Sequence, residues 1–302
     1  MKNKLLIASK SLTGISIGDA FGESFFGEES LVKSYIQQRI IPENSLDFTD
    51  DTIMAIAVFK SLEKFGKINQ DFLAEEFTKN YYLDINRGYG SSMDQYFRAV
   101  KSGENWKEIS YSKFERQGSM GNGGAMRAST IGAYFYDDLD KLKLNAELSC
   151  EVTHANKEAI EGTKAIALAV AFAIQEKLGL IQLNQQEFIQ KIQSELMDSD
   201  MKSKLNKALY LDGNPSIELL VKTLGNGIKM TAQDTVPIVI WMLSRYRKNF
   251  EECLWNTVSA LGDRDTTSAM AAGISILCCD ENTIPDWKNN IENWKNSRFY
   301  ES

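Results

Sequence analysis

Residues 262–277 read GDRDTTSAMAAGISIL, and this stretch decides how the rest of the chain is interpreted. It sets two aspartates one residue apart, follows them with threonines and continues into an apolar run. A similar pattern stands far upstream, where residues 49–59 read TDDTIMAIAVF. Both stretches are typical of an acidic helix start that leads into a buried helix. We therefore expect a helical fold that brings the two acidic starts together around divalent cations.

Length and charge limit the class of protein. A chain of 302 residues with 43% hydrophobic and 25% charged residues is ordinary for a soluble globular protein. The net charge of -7 provides no basic surface for nucleic acid or for an anionic membrane. The four cysteines form no C-x-x-C pair, and Met1–Lys10 lacks the long apolar core and cleavage site of a signal peptide. We expect a cytoplasmic monomer with reduced thiols and no membrane span.

Apolar residues recur three and four positions apart along most of the chain, which indicates amphipathic helices. The segments with this period are 5–17, 53–65, 71–82, 93–100, 186–197, 217–224, 236–246 and 250–261. We expect Gly18 to break the first of these helices and Gly66 to cap the second. Residues 159–174 become almost wholly apolar after a short polar start and predict a central helix that is too short to cross a bilayer. A tryptophan stripe at 287–294 predicts a last helix on the body, and together these elements predict an all-α fold in a single domain over residues 1–302.

The spacing of the acids constrains where their carboxylates can meet. Side chains at i and i+2 of a helix point about 200° apart, so Asp263 and Asp265 cannot converge within a regular helix. Asp50 and Asp51, about 100° apart, converge only poorly. We therefore expect both pairs in the irregular turn that precedes a helix.

The negative charge of a cluster of such acids must be compensated. Two carboxylates about 5 Å apart repel by roughly 3 kcal/mol at an effective dielectric constant of ~20, so the cluster requires protons, cationic side chains or metal ions. Oxygen ligands beside threonine hydroxyls favour Mg²⁺, Mn²⁺ or Ca²⁺ over zinc. The alternative interpretation is that each acid only caps the N-terminus of a helix.

Two further features of the sequence could take part in catalysis or ligand binding. His154 is the single histidine, which excludes a multi-histidine zinc site, and no G-x-S-x-G element accompanies it. Residues 118–124 read GSMGNGG, a loop whose N–H groups can cradle phosphate, although it is neither a P-loop nor a dinucleotide fingerprint. A structural histidine and a structural turn are the alternatives for these two features.

Five short motifs follow one another along the chain: GDAFG at 18–22, TDDT at 49–52, GNGGAMR at 121–127, THA at 153–155 and GDRDT at 262–266. Their order resembles that of the ADP-ribosylglycohydrolase family, also called ADP-ribosyl-acceptor hydrolases. The resemblance implies an all-α orthogonal bundle with a loop-built site for two Mg²⁺ ions, which Mn²⁺ can replace. It also implies a hydrolase that releases ADP-ribose from a protein side chain such as arginine, or from an ADP-ribosylated metabolite, by cleaving the glycosidic bond at the distal ribose.

The resemblance also implies roles for individual residues. One side of the metal site would come from Thr49, Asp50 and Asp51, and the other from Asp263, Asp265 and Thr266. The loop around the diphosphate and ribose of ADP-ribose would consist of Gln117, Gly118, Ser119, Met120, Gly121, Asn122 and Gly123. His154 and Asp50 would lie close to the same ligand, and residues 236–238 would line its nucleoside end.

The acid that handles the proton departs from the family pattern. Many members carry a metal-linked glutamate eight residues after the first glycine of G-D-x-x-G, and this chain has Phe26 there. Glu23 is the nearest substitute and Glu28 the reserve, while Asp51 is a second candidate for proton transfer. The departure keeps an alternative open, in which the chain is a non-catalytic ADP-ribose-binding or protective module. The acceptor also stays open among arginine, serine, a nucleic-acid base and a small metabolite.

Overall fold

The computed structural model describes residues 2–42, 46–211, 213–280 and 283–301. These ranges contain sixteen α-helices and no β-strand, which confirms the all-α fold predicted from the sequence. The helices are α1 (Lys2–Glu23), α2 (Glu29–Gln38), α3 (Asp50–Phe65), α4 (Gln70–Leu83), α5 (Ser91–Lys101), α6 (Trp106–Arg116), α7 (Ser129–Tyr134), α8 (Leu139–Glu151), α9 (Lys157–Lys177), α10 (Gln185–Ser194), α11 (Asp200–Leu209), α12 (Ile217–Leu224), α13 (Ala232–Tyr246), α14 (Phe250–Val258), α15 (Arg264–Cys278) and α16 (Arg298–Glu301). Short 3₁₀ turns cover Asn122–Gly124, Asp286–Asn290 and Trp294–Asn296.

The central helix is α9, as the apolar run at 159–174 predicts. Asn156 caps its start by accepting a hydrogen bond from the N–H of Glu158, and nearly every residue from Ala159 to Ile174 is buried. The helix packs against α7, α8, α13 and α15. Each large aliphatic side chain buried in this way contributes about 1.5–3 kcal/mol, so an apolar helix stabilises the fold best when other helices surround it. One of those surrounding helices, α15, begins at the acidic stretch.

Helices α1 and α15 make a close backbone-to-backbone contact along a ladder of small residues. A Cβ atom on Gly14, Gly18 or Gly22 would lie only 2.1–2.5 Å from a backbone oxygen of α15. The predicted helix break at Gly18 is therefore wrong, because this glycine lies inside α1 and permits the close approach. The packing outweighs the roughly 1 kcal/mol by which glycine disfavours a helix interior. As a result, the C-terminal end of α1 is held against the N-terminal end of α15.

The C-terminal segment packs on the body, as predicted, but it does not form one helix. Trp294 is buried and meets Phe59 at a centroid distance of 5.6 Å, and Trp287 stacks on Phe21 at 5.2 Å. Residues 289–296 hold four asparagines, whose side chains compete with the backbone for hydrogen bonds, so short turns replace a helix. Across the described ranges, every helix is too short or too polar to cross a bilayer.

Candidate active site

Both acidic stretches stand at helix starts. Thr49 precedes α3, and its hydroxyl accepts a hydrogen bond from the N–H of Asp51 at 3.4 Å. Asp50 and Asp51 occupy the first turn of α3. Asp263 stands at the capping position of α15, and Asp265 occupies the first turn of that helix. The expectation that both pairs precede a helix is therefore wrong for three of the four aspartates. The carboxylates still converge, because the two helices meet at their N-terminal ends.

The contact between the two helix starts leaves two oxygens without a partner. The Thr266 hydroxyl donates to Oδ2 of Asp51 at 3.2 Å. Within the described chain, Oδ1 of Asp51 and Oδ1 of Asp265 are buried and make no hydrogen bond. An unsatisfied buried polar group costs about 1–3 kcal/mol, so it marks a position where a ligand can bind. Capping does not explain these oxygens, because the Asp263 side chain makes no capping hydrogen bond and Thr49 fills that role at α3.

Asp19 organises the start of α3, a role that the sequence analysis did not assign to it. Its buried carboxylate accepts hydrogen bonds from the N–H groups of Thr49 at 2.9 Å and Thr52 at 3.0 Å, and from both threonine hydroxyls. Because Thr49 donates its hydroxyl proton to Asp19, a lone pair on the Thr49 oxygen remains available to a ligand. The signal for this role was the Gly18-Asp19 pair, since an aspartate on a closely packed helix face must find donors nearby.

The site gathers negative charge in the protein interior. Burial, followed by repulsion between neighbouring carboxylates, raises the pKa of Asp50 and Asp51 well above the usual range. Burial, together with the charge of Asp265, raises the pKa of Asp19 to about 7 and that of Asp263 to about 8. The lysine and arginine ion pairs of the described residues involve other carboxylates. Protons or cations must therefore compensate the cluster.

The donor chemistry of the cluster fits a divalent cation. Carboxylate and hydroxyl oxygens are the ligands that Mg²⁺ and Mn²⁺ prefer, and two of the carboxylate oxygens have no hydrogen-bond partner among the described residues. In the part of the chain that the structure describes, no three Asp, Glu, His or Cys side chains form a ready-made metal cage. A bound cation would pair with the two oxygens that lack a partner among the described residues and would compensate the charge of the cluster.

A cavity of about 340 Å³ opens beside the acidic cluster. The predicted residues that line it are Asp50, Asp51, Ser119, Met120, Gly121, Asn122, Gly123, His154, Asp263, Asp265 and Thr266. Three further residues predicted for the metal site and the loop do not line it: Gln117 is exposed at the end of α6, Gly118 packs on the backbone of Ala155, and Thr49 bonds to Asp19. The fold thus places most of the acidic residues and most of the glycine-rich loop on one cavity.

Asn122 connects the glycine-rich loop to the acidic cluster. Its Nδ2 donates to Oδ2 of Asp263 at 2.6 Å and to the Thr235 hydroxyl at 3.0 Å. Its backbone N–H donates to the carbonyl oxygen of Met230 at 3.1 Å. Because this side chain is buried, the position of the loop and the orientation of the Asp263 carboxylate are fixed together.

His154 lies under the loop in a neutral state. A Cβ atom on Gly121 or Gly123 would approach its ring to 2.7 or 2.6 Å, so both positions require glycine. Its Nδ1 lies 2.6 Å from the Thr153 hydroxyl, which accepts a hydrogen bond from the buried Arg127 at 2.9 Å. Because arginine only donates, the Thr153 proton is free to bond to Nδ1, which leaves the Nε2–H on the loop side. Burial holds the pKa of His154 well below its usual range.

Comparison with known proteins agrees with this geometry. Residues 7–301 match the family model for ADP-ribosylglycohydrolase. The chain belongs to the ADP-ribosylglycohydrolase family. The ADP-ribosylhydrolase ARH3 of Xenopus tropicalis is 30% identical, over 95% of this chain and 91% of that protein, and ARH3 of Gallus gallus is 28% identical, over 93% and 88%. A solved structure titled ADP-ribosylglycohydrolase-related protein complex shares the fold, with a TM-score of 0.60 at 20% identity, over 97% of this chain and 94% of the other.

Membership of the ADP-ribosylglycohydrolase family makes the chain a hydrolase whose substrates carry ADP-ribose. This finding supports the hydrolase interpretation over that of a non-catalytic binding module. The all-α fold that the resemblance implies is confirmed as well.

Among the glutamates considered in this ADP-ribosylglycohydrolase, Glu23 is the one that faces the acidic cluster. It ends α1 and lines a second, larger cavity together with Asp265. Burial, with the charge of Asp265, raises its pKa to about 7. Glu28 instead caps α2 by accepting hydrogen bonds from the N–H groups of Ser30 and Leu31, both at 3.1 Å. The carboxylate of Glu28, the reserve candidate for proton transfer, is therefore engaged in capping α2.

The residues that line the smaller cavity do not include those expected at the nucleoside end of the ligand. Residues 236–238 are buried inside α13 and do not line the cavity, so that part of the prediction is wrong. The rim instead carries Phe114, whose side chain is 64% exposed. Phe114, Glu115 and Arg116 have positive φ angles of 50°, 57° and 67° at a kink in α6. Left-handed backbone costs roughly 1–2 kcal/mol per non-glycine residue, and no sequence pattern announced it.

Proposed function

We propose that this chain is a Mg²⁺-dependent hydrolase that cleaves the glycosidic bond between the distal ribose of ADP-ribose and its acceptor. Its substrates are ADP-ribosylated proteins or metabolites, and two ions take part, with Mn²⁺ as a substitute for Mg²⁺. The observation that carries the proposal is the pair of buried, unpartnered oxygens, Oδ1 of Asp51 and Oδ1 of Asp265, on the wall of a glycine-lined cavity. Four buried free thiols are in keeping with a cytoplasmic enzyme.

The ions would be held by residues from both helix starts. The proposed ligands are Thr49, Asp50, Asp51, Asp263, Asp265 and Thr266. When bound there, divalent ions would supply Lewis-acid chemistry, by gripping ribose hydroxyls and acidifying a water molecule. The protein keeps the ligands in place, because Asp19 fixes Thr49 and Asn122 fixes Asp263.

ADP-ribose would occupy the smaller cavity. The loop from Ser119 to Gly123 would lie along the diphosphate, and the Nε2–H of neutral His154 adds a donor from below. The exposed ring of Phe114 covers the adenine, since stacking of a base on an aromatic ring contributes about 1–3 kcal/mol. Binding energy gained on the diphosphate and the base positions the distal ribose against the acids.

Hydrolysis requires one proton to leave water and one to reach the acceptor atom. Glu23 is placed to deliver the proton that reaches the acceptor atom, because it lines the larger cavity together with Asp265. Asp51 is the second acid in reach, but Thr266 bonds one of its oxygens and the proposed ions take the other. We therefore assign delivery of a proton to the acceptor atom to Glu23. The attacking water releases its proton to solvent, from which Glu23 takes up a proton again, and Asp51 would act by holding the ions beside that water.

The direct test is release of free ADP-ribose from an ADP-ribosylated protein before and after chelation of divalent ions. We expect EDTA to abolish release and added Mg²⁺ to restore it. Release that continues at full rate in EDTA would overturn the metal requirement. Tight binding of ADP-ribose without release from any conjugate would overturn the hydrolase proposal.

A further inference from the structure

The larger cavity adjoins the smaller one at the acidic cluster. Its volume is about 950 Å³, and its walls come from the end of α1, from α2, α12 and the start of α15. The two cavities share the wall residues Gly88, Met230, Asp263 and Asp265. A ligand that fills the smaller cavity and reaches the shared aspartates therefore extends, at its next atoms, into the larger one.

Because the two cavities are continuous, the part of the substrate that enters the larger cavity can be inferred. If the distal ribose is held at the shared aspartates, as proposed above, the bond to be cleaved points away from the diphosphate loop. The acceptor then emerges between α2 and α12, past Glu23 and Phe26. A volume of 950 Å³ exceeds what one modified side chain needs, since whole ligand pockets measure about 300–1,000 Å³.

The walls of the larger cavity have the character of a protein-binding surface. Phe26 is 44% exposed, Ile228 74% and Met230 64%. The Arg264 guanidinium lies over the Phe26 ring, 4.9 Å from its centroid, and the Arg264 Nε is buried without a hydrogen-bond partner among the described residues. Exposed aromatic, methionine and arginine side chains are the types enriched where proteins bind one another.

The charges around this cavity do not suit a polyanion. Apart from the shared aspartates, three acids balance three bases among its lining residues, namely Glu23, Glu29, Glu218, Lys33, Lys222 and Arg264. Lys33 is already paired with Glu29. Binding of nucleic acid depends on an excess of basic residues that neutralise phosphates, and the chain as a whole carries a net charge of -7.

We propose that the cavity between α2 and α12 is the acceptor subsite, and that its occupant is a polypeptide segment on either side of the modified residue. The inference rests on the proposed function, because it assumes that the distal ribose binds at the shared aspartates. Apolar side chains of the substrate pack on Phe26 and Ile228, and Arg264 donates from its free Nε to a backbone carbonyl of the segment. The larger cavity thereby recognises the substrate polypeptide, while the smaller cavity recognises ADP-ribose.

The test compares two substrates that share ADP-ribose and differ in the acceptor: an ADP-ribosylated peptide of about ten residues and the same modified amino acid alone. For each, kcat/KM and the dissociation constant are measured, and the ratio of peptide to amino acid is calculated. Ile228→Glu is the test variant, because this exposed residue lines the larger cavity only. Leu219→Glu is the matched control, because Leu219 is 46% exposed on α12 and does not line the cavity.

We expect the peptide to be preferred roughly tenfold by the wild-type protein and by Leu219→Glu, which corresponds to about 1.4 kcal/mol. Ile228→Glu should reduce that ratio to near one. A wild-type ratio near one, or an unchanged ratio in Ile228→Glu, would overturn the acceptor subsite. Preference for an ADP-ribosylated oligonucleotide over the peptide would overturn the choice of occupant. If neither substrate is cleaved, the proposed function fails, and the ratio of dissociation constants still decides whether the subsite exists.

Discussion

The hydroxyl of Thr266 donates to Oδ2 of Asp51 at 3.2 Å, although 215 residues separate the two in the chain. This contact joins the first turns of α3 and α15 and leaves Oδ1 of Asp51 buried, without a hydrogen-bond partner in the described part of the chain. Two acidic motifs that could each cap a helix thereby become one site.

The glycine ladder between α1 and α15 sets the distance between the acids. In Gly18→Ala, the new methyl group would meet the backbone oxygen of Ser268 at 2.1 Å, and a shift of α1 would disturb Asp19. We expect a loss of at least about 1–3 kcal/mol in the free energy of unfolding, measured with urea. Leu6→Ala, at a position that is 68% exposed on the same helix, is the control and should cost little. Wild-type stability in Gly18→Ala would contradict the close packing.

Glu23 is assigned to proton transfer. Glu23→Gln should lower kcat by about 10²–10⁴-fold, because a positioned acid contributes that much, while the dissociation constant for ADP-ribose stays the same. Glu28→Gln is the matched control and should retain activity, since Glu28 caps α2. Loss of activity in Glu28→Gln with retention in Glu23→Gln would reverse the assignment.

Stability should depend on pH through the buried carboxylates. The pKa values of about 7 for Asp19 and about 8 for Asp263 lie above the values of the unfolded chain, so the folded state binds more protons at neutral pH. Metal-free protein therefore loses stability as pH rises through 8, and a bound cation offsets that loss. We expect the increase in Tm caused by Mg²⁺ to grow between about pH 6.5 and 8.5. An increase that shrinks with pH would show that the ion does not compensate these acids.

The glycine-rich loop should bind ADP-ribose only while it rests on His154. In Gly123→Ala, the added methyl group would lie 2.6 Å from Cε1 of His154 and would push the loop or the ring away. We expect at least tenfold weaker ADP-ribose binding in calorimetry, about 1.4 kcal/mol, with Mn²⁺ binding retained. Gly27→Ala is the control, because the nearest atom to its new methyl group is Cγ2 of Val32 at 3.9 Å. Equal affinity in both variants would remove the loop from the binding site.

The sequence predicted the features that depend on local pattern. The apolar run at 159–174 became α9, and Gly66 caps α3 with a φ of 67°. The order of the five motifs identified the family before any contact was known. Most residues assigned by those motifs line one cavity, because motifs retain the residue types that a ligand requires.

The features that the sequence did not predict depend on packing between segments that are distant in the chain. Gly18 read as a helix break because its partner backbone is 250 positions away at Ser268. Asp19 received no role because its donors, Thr49 and Thr52, are distant in the chain. The left-handed turn at Phe114 follows no glycine or asparagine signal, so the aromatic rim of the cavity could not be predicted. In each case, periodicity within one segment carries no information about the surface it meets.

The most direct test of the account is to count the divalent ions that bind to the two helix starts. Titration of the metal-free protein with Mn²⁺, followed by electron paramagnetic resonance, reports the number of bound ions per chain. We expect two ions in the wild-type protein and in Asp140→Asn, whose side chain is 98% exposed, and weakened or lost binding in Asp51→Asn and Asp265→Asn. Absence of tight binding in the wild-type protein, or wild-type binding in both site variants, would contradict the claim that these acids form one metal site.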